Sequence, residues 1–180
     1  MNTLTKLALG ALGQLHPRPA AGTAAHTLVL PEPARSGGMA LLCALQHRES
    51  RREFDAAALD PQVLSDLLWA CCGVNRPALG GRTAPSAMNA QEVQVHVAMA
   101  QGLFLYEPVA HVLQLSVAQD VRRVTGYQDF VDGAPLDLIY VADHARAHLV
   151  TAAQRTAYAY ASAGAMAQNV YLFCAAQGLS

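Results

Sequence analysis

Charged residues are scarce in this sequence, and neither sign is in excess. Only 14% of the 180 residues are charged, with 12 Lys and Arg against 13 Asp and Glu. A nucleic-acid partner requires a basic face, so the composition argues against DNA or RNA as the main partner. It leaves room for a few local basic positions that could bind one small phosphate.

Long apolar runs are also missing. No stretch approaches the ~18 consecutive apolar residues that would predict a membrane span, so no membrane partner is expected. The longest run, Leu7 to Leu15, contains two glycines and follows Lys6. We interpret it as part of a loose N-terminal arm of a cytoplasmic protein, with a weak export signal as the alternative.

The sequence lacks the short motifs of several common sites. It contains no GxGxxG or P-loop motif for nucleotides, no HExxH motif and no GxSxG elbow. The four cysteines form no CxxC pair, which argues against a zinc site and favours buried free thiols. They are Cys43, Cys71, Cys72 and Cys174. His96 alternates with a valine face and is expected to be exposed, so no metal ligand is assigned.

Apolar residues, by contrast, are plentiful enough for one good core. They make up 53% of the chain, and 180 residues is an ordinary length for one domain. Pro17, Pro19, Pro31 and Pro33 lie among several glycines near the N-terminus. They predict a flexible, extended arm over residues 1–37 and a folded domain over residues 38–180.

Three helices are predicted. Met39 to Arg48 has apolar residues at helical spacing. Asp60 and Pro61 are typical of a helix start, and Gly73 is typical of its end. Residues 151–177 are rich in alanine and apolar on nearly every side, which predicts a long buried helix.

The strand pattern completes the fold prediction. Val93, Val95 and Val97 alternate with polar residues, as in a strand with one face in the core. Residues 103–106 and 111–117 predict a hairpin, and the nearly all-apolar residues 136–143 predict a central strand covered on both faces. Strands mixed with helices indicate a layered α+β domain, and the small residues of the long helix favour a dimer.

Two polar clusters are candidates for a binding site. RESRREF (Arg48 to Phe54) supplies arginines whose planar forks match phosphate oxygens, and Ser50 adds a hydroxyl; the alternative is a solvated charge run. In GGRTAPSAMNAQ (Gly80 to Gln91), Ser86 and Asn89 can hydrogen-bond to a planar heterocycle while Pro85 restricts the backbone. The alternative for this cluster is a loop with a helix cap at Ser86.

These clusters carry a resemblance to a known family. RESRREF resembles the RRSxRxF segment that opens nitroreductase-family flavoproteins, and TAPSAMNAQ resembles their PSxxNxQ segment. LSDLLWACCGVNRP, GLFLYEP, VTGYQDFVDGAPLDLIYVAD and AGAMAQNVYLFCAAQGLS match further segments in the same order. The resemblance covers Met39 to Ser180 and is closest to the branch related to azoline-oxidising dehydrogenases. It implies a homodimeric, layered α-β-α sandwich of the α+β class with a central, mostly antiparallel sheet.

The resemblance also implies a function. The implied function is that of an FMN-dependent oxidoreductase. Such an enzyme passes hydride from NAD(P)H through a flavin at the subunit interface to a small oxidant such as a nitroaromatic or quinone. By position, Arg48 and Ser50 are implied ligands of the FMN phosphate and ribityl chain, and Arg52 of the pyrimidine edge of the flavin. The implied contacts from the other subunit are Pro85, Ser86, Ala87 and Asn89. Because the cofactor carries the chemistry, no catalytic acid or base is named.

Two departures from the family pattern affect these expectations. Glu49 stands where the family often has a basic residue or histidine, and a carboxylate beside a phosphate would repel it. The matched segments also stop before the family's last strands, which predicts a C-terminally truncated domain. The alternative function is therefore an inactive or flavin-binding-only remnant of the same fold.

Overall fold

The computed structural model describes residues 26–179, together with Ala8 and Ala11. Five strands form the main sheet: β1 (Thr27–Val29), β4 (Val93–Met99), β5 (Gly102–Glu107), β6 (Val112–Val117) and β7 (Leu136–Ala142). Their order is β1-β6-β5-β4-β7, and every neighbouring pair is antiparallel. The short strands β2 (Val74–Arg76) and β3 (Gly81–Arg82) form a separate pair. The predicted α+β class with an antiparallel central sheet is confirmed.

The alternating pattern of β4 builds the core. Val93, Val95 and Val97 face inward and are buried, and Val97 lies opposite Phe104 of β5 on one side and Leu138 of β7 on the other. Because side chains alternate across a strand, the intervening Gln94 and His96 point to the opposite face, where they are half-buried. One face of the sheet is therefore hydrophobic, and the helices pack against that face.

Three helices accompany the sheet: α1 (Leu41–His47), α2 (Pro61–Cys72) and α3 (Ala152–Gln177). The Asp60 side chain accepts a hydrogen bond from the Gln62 backbone N–H at 2.8 Å, and Gly73 ends α2. A Cβ atom at Gly73 would collide with the Trp69 side chain, so this close approach requires glycine. Thr151 begins α3 with a capping box. The three predicted helices are confirmed at these places.

A chain of hydrogen bonds ties the stretch after β1 to the core. The Ser65 hydroxyl donates to the Pro31 carbonyl at 2.6 Å, and His111 Nε2 lies 2.7 Å from the same hydroxyl. Because the Ser65 hydroxyl proton is donated to the Pro31 carbonyl, the imidazole proton of His111 lies on Nε2. His111 Nδ1 then accepts a hydrogen bond from the Tyr106 hydroxyl at 2.9 Å. Part of the predicted arm therefore contacts the domain, and the boundary at residue 38 stays a prediction.

Two expectations about the core are corrected. Within the described residues β7 pairs only with β4 and lies at the edge of the sheet, so it is not a central strand. Along α3 the buried residues are Ala159, Ser162 and Met166, which form one stripe, while Tyr160 is 77% exposed. An apolar run indicates that the side chains favour burial, but it does not show which strands or helices lie beside them.

Smaller expectations have mixed outcomes. Cys71 and Cys72 are buried as predicted, but Cys43 is exposed and His96 is half-buried instead of exposed. Apart from Ala8 and Ala11, the Leu7–Leu15 run lies outside the described residues, so the export-signal alternative stays untested. None of the helices in the described residues combines the length and hydropathy that crossing a bilayer requires.

Candidate functional site

The first predicted cluster begins where α1 ends. Arg48 is the C-cap residue of α1, and its backbone has left the helical conformation (φ −63°, ψ 119°). Arg48 is half-buried, whereas Ser50 and Arg52 are exposed. The end of the helix therefore places these three predicted ligands on one accessible, extended segment.

The arginines of this segment have different partners. Arg51 Nε donates to Glu49 Oε1 at 2.8 Å, which forms an ion pair. The guanidinium carbon of Arg48 lies 5.9 Å from the centroid of the Tyr171 ring, and that of Arg52 lies 5.9 Å from the centroid of the Phe130 ring. From the sequence, the Glu49 carboxylate is expected to repel a phosphate. It is paired with Arg51, the arginine of this segment that is not a predicted ligand.

Phe130 lies in a braced segment between β6 and β7. Its ring centroid is 6.1 Å from that of Phe54, so it contacts both ends of the Arg52–Phe54 stretch. At the base of the segment, Arg122 Nη1 donates to the Ala134 carbonyl at 2.8 Å, and the Thr125 hydroxyl donates to Asp137 Oδ2 at 2.7 Å. The first bond joins the two ends of the segment, and the second ties it to β7, so Phe130 lies in a braced loop beside Arg52.

The second predicted cluster is a short 3₁₀ turn held by Gln91. The Gln91 backbone N–H donates to Ser86 Oγ at 3.0 Å, and Gln91 Nε2 donates to Asn89 Oδ1 at 3.1 Å and to the Gly80 carbonyl. Ala87–Asn89 forms the turn, with Pro85 exposed before it. The Ser86 hydroxyl accepts in this arrangement, so its own proton remains available for a ligand.

The backbone of this turn is strained. Met88, Asn89 and Gln91 have φ values of 53°, 53° and 52°, in the left-handed region that residues other than glycine rarely occupy. Such conformations cost of order 1–3 kcal/mol each and concentrate at ligand sites and switch regions. The turn is therefore shaped by its surroundings at an energetic cost, which is typical of a functional segment.

Arg82 and Thr83, which precede the turn, have a structural role. Arg82 is buried, and desolvation lowers its pKa from the ordinary value. Thr83 donates from its backbone N–H to the Gly73 carbonyl at 2.9 Å and from its hydroxyl to the Trp69 carbonyl at 3.1 Å. Thr83 therefore ties the stretch before the turn to α2 and uses its hydroxyl proton there, while the buried Arg82 pairs with β2.

Sequence reasoning missed the buried pair beneath the turn. Glu92 is 1% exposed, and its Oε1 atom accepts a hydrogen bond from the Ser162 hydroxyl of α3 at 2.7 Å. Among the described residues, its Oε2 atom has no hydrogen-bond partner. Glu92 lines a small cavity together with Ala87, Met88 and Tyr158. A glutamate between Gln91 and Val93 gives no local sign of this burial, because its partner is distant in the sequence.

The two predicted clusters lie beside different parts of α3. Arg48 contacts Tyr171, whereas Ala87 shares its cavity with Tyr158. Both tyrosines belong to α3, and their separation of 13 positions corresponds to about 20 Å at 1.5 Å per residue. The structure therefore keeps Arg48, Ser50 and Arg52 on one segment and Pro85 to Asn89 on another, at different levels of the long helix.

Comparison with known proteins identifies the family. Residues 45–180 match the Nitroreductase family. The chain belongs to the nitroreductase family. Membership assigns the chain to the general class of flavin-dependent oxidoreductases and confirms the resemblance inferred from the sequence.

Individual relatives agree with this assignment. Over 142 residues the chain is 30% identical to the putative nitroreductase MJ1384 of Methanocaldococcus jannaschii, covering 73% of this chain and 71% of the relative. A crystal structure of a putative nitroreductase from Ralstonia eutropha is 51% identical, with a TM-score of 0.82 over 91% of this chain and 78% of that one.

A more distant structure shares the fold alone. It belongs to the E. coli microcin synthetase McbBCD complex, solved with truncated pro-MccB17 bound, and matches with a TM-score of 0.60 at 16% identity. The match covers 99% of this chain and 81% of that one.

The donor set of the first cluster fits the phosphate of a flavin mononucleotide. A phosphate needs positive charge and several N–H or O–H donors in reach. Arg48 and Arg52 supply the charge without forming an ion pair among the described residues, and Ser50 supplies an exposed hydroxyl. Because Glu49 is paired with Arg51, its carboxylate does not cancel this charge.

Proposed function

We propose that the chain is an FMN-dependent oxidoreductase that works as a homodimer and reduces a small oxidant, such as a nitroaromatic or quinone, with NAD(P)H. The observation that carries the proposal is the arginine arrangement at residues 48–52. Two arginines lie over aromatic rings without an ion pair among the described residues, and the third is paired with Glu49. This arrangement favours an anionic ligand.

The proposed ligands have different roles. Arg48 and Ser50 bind the FMN phosphate and ribityl chain through charge-assisted and hydroxyl hydrogen bonds. Arg52 binds the pyrimidine edge of the flavin, where a cation stabilises the negative charge of the reduced ring and raises its reduction potential. Bound FMN supplies the centre that accepts hydride from NAD(P)H and passes electrons to the oxidant.

The second subunit completes the site in this proposal. The turn lies beside Tyr158 and Arg48 beside Tyr171, about 20 Å apart along α3, so the proposal takes Pro85, Ser86, Ala87 and Asn89 from the partner copy. Exposed apolar side chains support association between copies, since large apolar patches usually mark interfaces. On the short helix α1, Leu41, Leu42 and Leu45 are 63%, 79% and 46% exposed.

Anaerobic spectroscopy of the purified protein tests the proposal. We expect a yellow protein whose flavin absorbance bleaches on addition of NADH or NADPH and returns on addition of a nitroaromatic or quinone. Size-exclusion chromatography with detection in the flavin band is expected to place the flavin in the dimer peak. A protein that binds no FMN when it is supplied in excess would contradict the proposal.

The same experiment separates the enzyme from the flavin-binding-only alternative. In that case the protein is yellow, but neither NADH nor NADPH bleaches it, while dithionite does. Chemical reduction serves as the control, because it shows that the bound flavin is redox-active and that only the transfer from nicotinamide has failed.

A further inference from the structure

Two arginines on one segment are held by aromatic faces, and a third is held by a carboxylate. Arg48 lies over Tyr171 and Arg52 over Phe130, each at 5.9 Å, while Arg51 is paired with Glu49 at 2.8 Å. The segment is short, so these three arginines experience nearly the same local sequence. The difference between them comes from the elements packed against the segment.

The two kinds of partner have different consequences for an arginine. A carboxylate takes up the N–H donors along the edge of the guanidinium plane, which are the donors that bind phosphate. The face of an aromatic ring attracts the cation without a carboxylate oxygen to accept from those donors, which leaves them for another ligand. An arginine over a ring is therefore restricted in position while it keeps its capacity to bind.

Both rings stand on fixed parts of the structure. Tyr171 belongs to the 26-residue helix α3. Phe130 belongs to the segment braced by the Arg122–Ala134 and Thr125–Asp137 hydrogen bonds, and it also packs on Phe54. Binding sites gain precision when the supporting side chains belong to rigid elements, because less freedom is lost when the ligand binds.

We propose that Tyr171 and Phe130 are positioning residues, whose rings hold Arg48 and Arg52 in the orientation that binds the phosphate and the ring edge of the cofactor. The inference rests on the proposed function. It adds two residues that lie outside both predicted clusters, and each acts through its arginine without needing to touch the cofactor.

The Tyr171 half is tested by binding of FMN and riboflavin. We expect Tyr171→Leu to weaken FMN binding by about two- to five-fold, the usual effect of an exposed cation–aromatic contact, and to leave riboflavin binding unchanged because riboflavin has no phosphate. Tyr171→Phe keeps the ring and is expected to behave like the parent. Tyr160→Leu is the matched control, since Tyr160 lies on the same face of α3 about three turns away.

The double variant Arg48→Ala/Tyr171→Leu separates positioning from a general loss of structure. If Tyr171 acts through Arg48, adding Tyr171→Leu to Arg48→Ala causes no further loss of FMN affinity. An equal loss in both backgrounds, or an equal loss of FMN and riboflavin affinity, would overturn the role of Tyr171.

The Phe130 half is tested by the midpoint potential of the bound flavin. Phe130→Leu is expected to lower the potential in the same direction as Arg52→Ala but by less, and Phe130→Tyr to leave it unchanged. In the Arg52→Ala background, Phe130→Leu should have no effect, and an unchanged potential in the single variant would remove Phe130 from the proposal. A parent protein without FMN binding would overturn the proposed function as well. Weaker FMN binding in Arg48→Ala together with parent-like binding in Tyr171→Leu would overturn only this inference.

Discussion

The hydrogen bond between Ser162 and Glu92 provides a sharp test of the packing beneath the turn. The two side chains are 3% and 1% exposed, and the 2.7 Å bond joins the middle of α3 to the start of β4. Among the described residues, Ser162 is the hydrogen-bond donor to this buried carboxyl group. Removing the hydroxyl leaves the whole carboxyl group without a protein partner.

The expected size of the effect follows from this burial. A buried polar group that loses its partner costs about 1–3 kcal/mol. Alanine is a better helix former than serine by about 0.5 kcal/mol, which offsets part of the loss in Ser162→Ala. We therefore expect a net destabilisation of about 0.5–2.5 kcal/mol, or roughly 1–10 °C in Tm for a chain of this size.

Urea unfolding followed by circular dichroism measures the effect, with Thr156→Ala as the control for helix propensity on the exposed face of α3. The double variant Glu92→Met/Ser162→Ala replaces both partners by apolar groups and is expected to be more stable than the sum of the single changes. A Ser162→Ala variant as stable as Thr156→Ala would show that the bond contributes nothing and would refute the reasoning.

Three further predictions concern the site and the pH dependence. Arg48→Ala should weaken FMN binding by ~1.5–3 kcal/mol, the value of a hydrogen bond to a charged group, and unchanged fluorescence titrations at fixed salt would contradict the phosphate assignment. Arg52→Ala should lower the flavin midpoint potential more than it weakens binding, and a redox titration equal to that of the parent would count against its place at the ring. Burial lowers the pKa of His111. As the pH falls, the unfolded chain therefore binds a proton at this histidine before the folded chain does. The stabilisation from neutral His111 is complete above the ordinary histidine pKa of about 6.5 and is lost as the pH falls through the folded value. The parent should therefore lose more stability than His111→Gln between pH 7.5 and 5.5 in urea unfolding, and parallel losses would exclude His111 as the cause.

Local signals in the sequence predicted local structure well. Asp60, Pro61 and Gly73 set the two ends of α2 because capping and steric rules act over a few residues. The valine alternation set the inward face of β4 for the same reason, since successive side chains of a strand point to opposite sides. The family assignment also followed from the sequence, because several segments match in register.

Contacts between distant residues could not be predicted in this way. Nothing near Arg48 indicates Tyr171, and nothing near Glu92 indicates Ser162, because each pair forms only when the helices pack. The edge position of β7 was missed for a related reason: its apolar run reports burial but not the number of neighbouring strands. The assignments at Arg48, Ser50, Arg52 and residues 85–89 stay predictions.

The separation of the two clusters along α3 has a genetic consequence. If each site combines Arg48 of one subunit with the turn at Ser86 of the other, a chain that carries Arg48→Ala still has an intact turn, and a chain altered at Ser86 and Asn89 still has an intact arginine segment. A mixed dimer of these two defective chains has one site that carries both defects and one site that carries neither. Co-expression of the two variants should therefore yield up to half of an intact site per chain, whereas neither variant alone forms an intact site. A protein that builds its whole site from one chain cannot be rescued in this way.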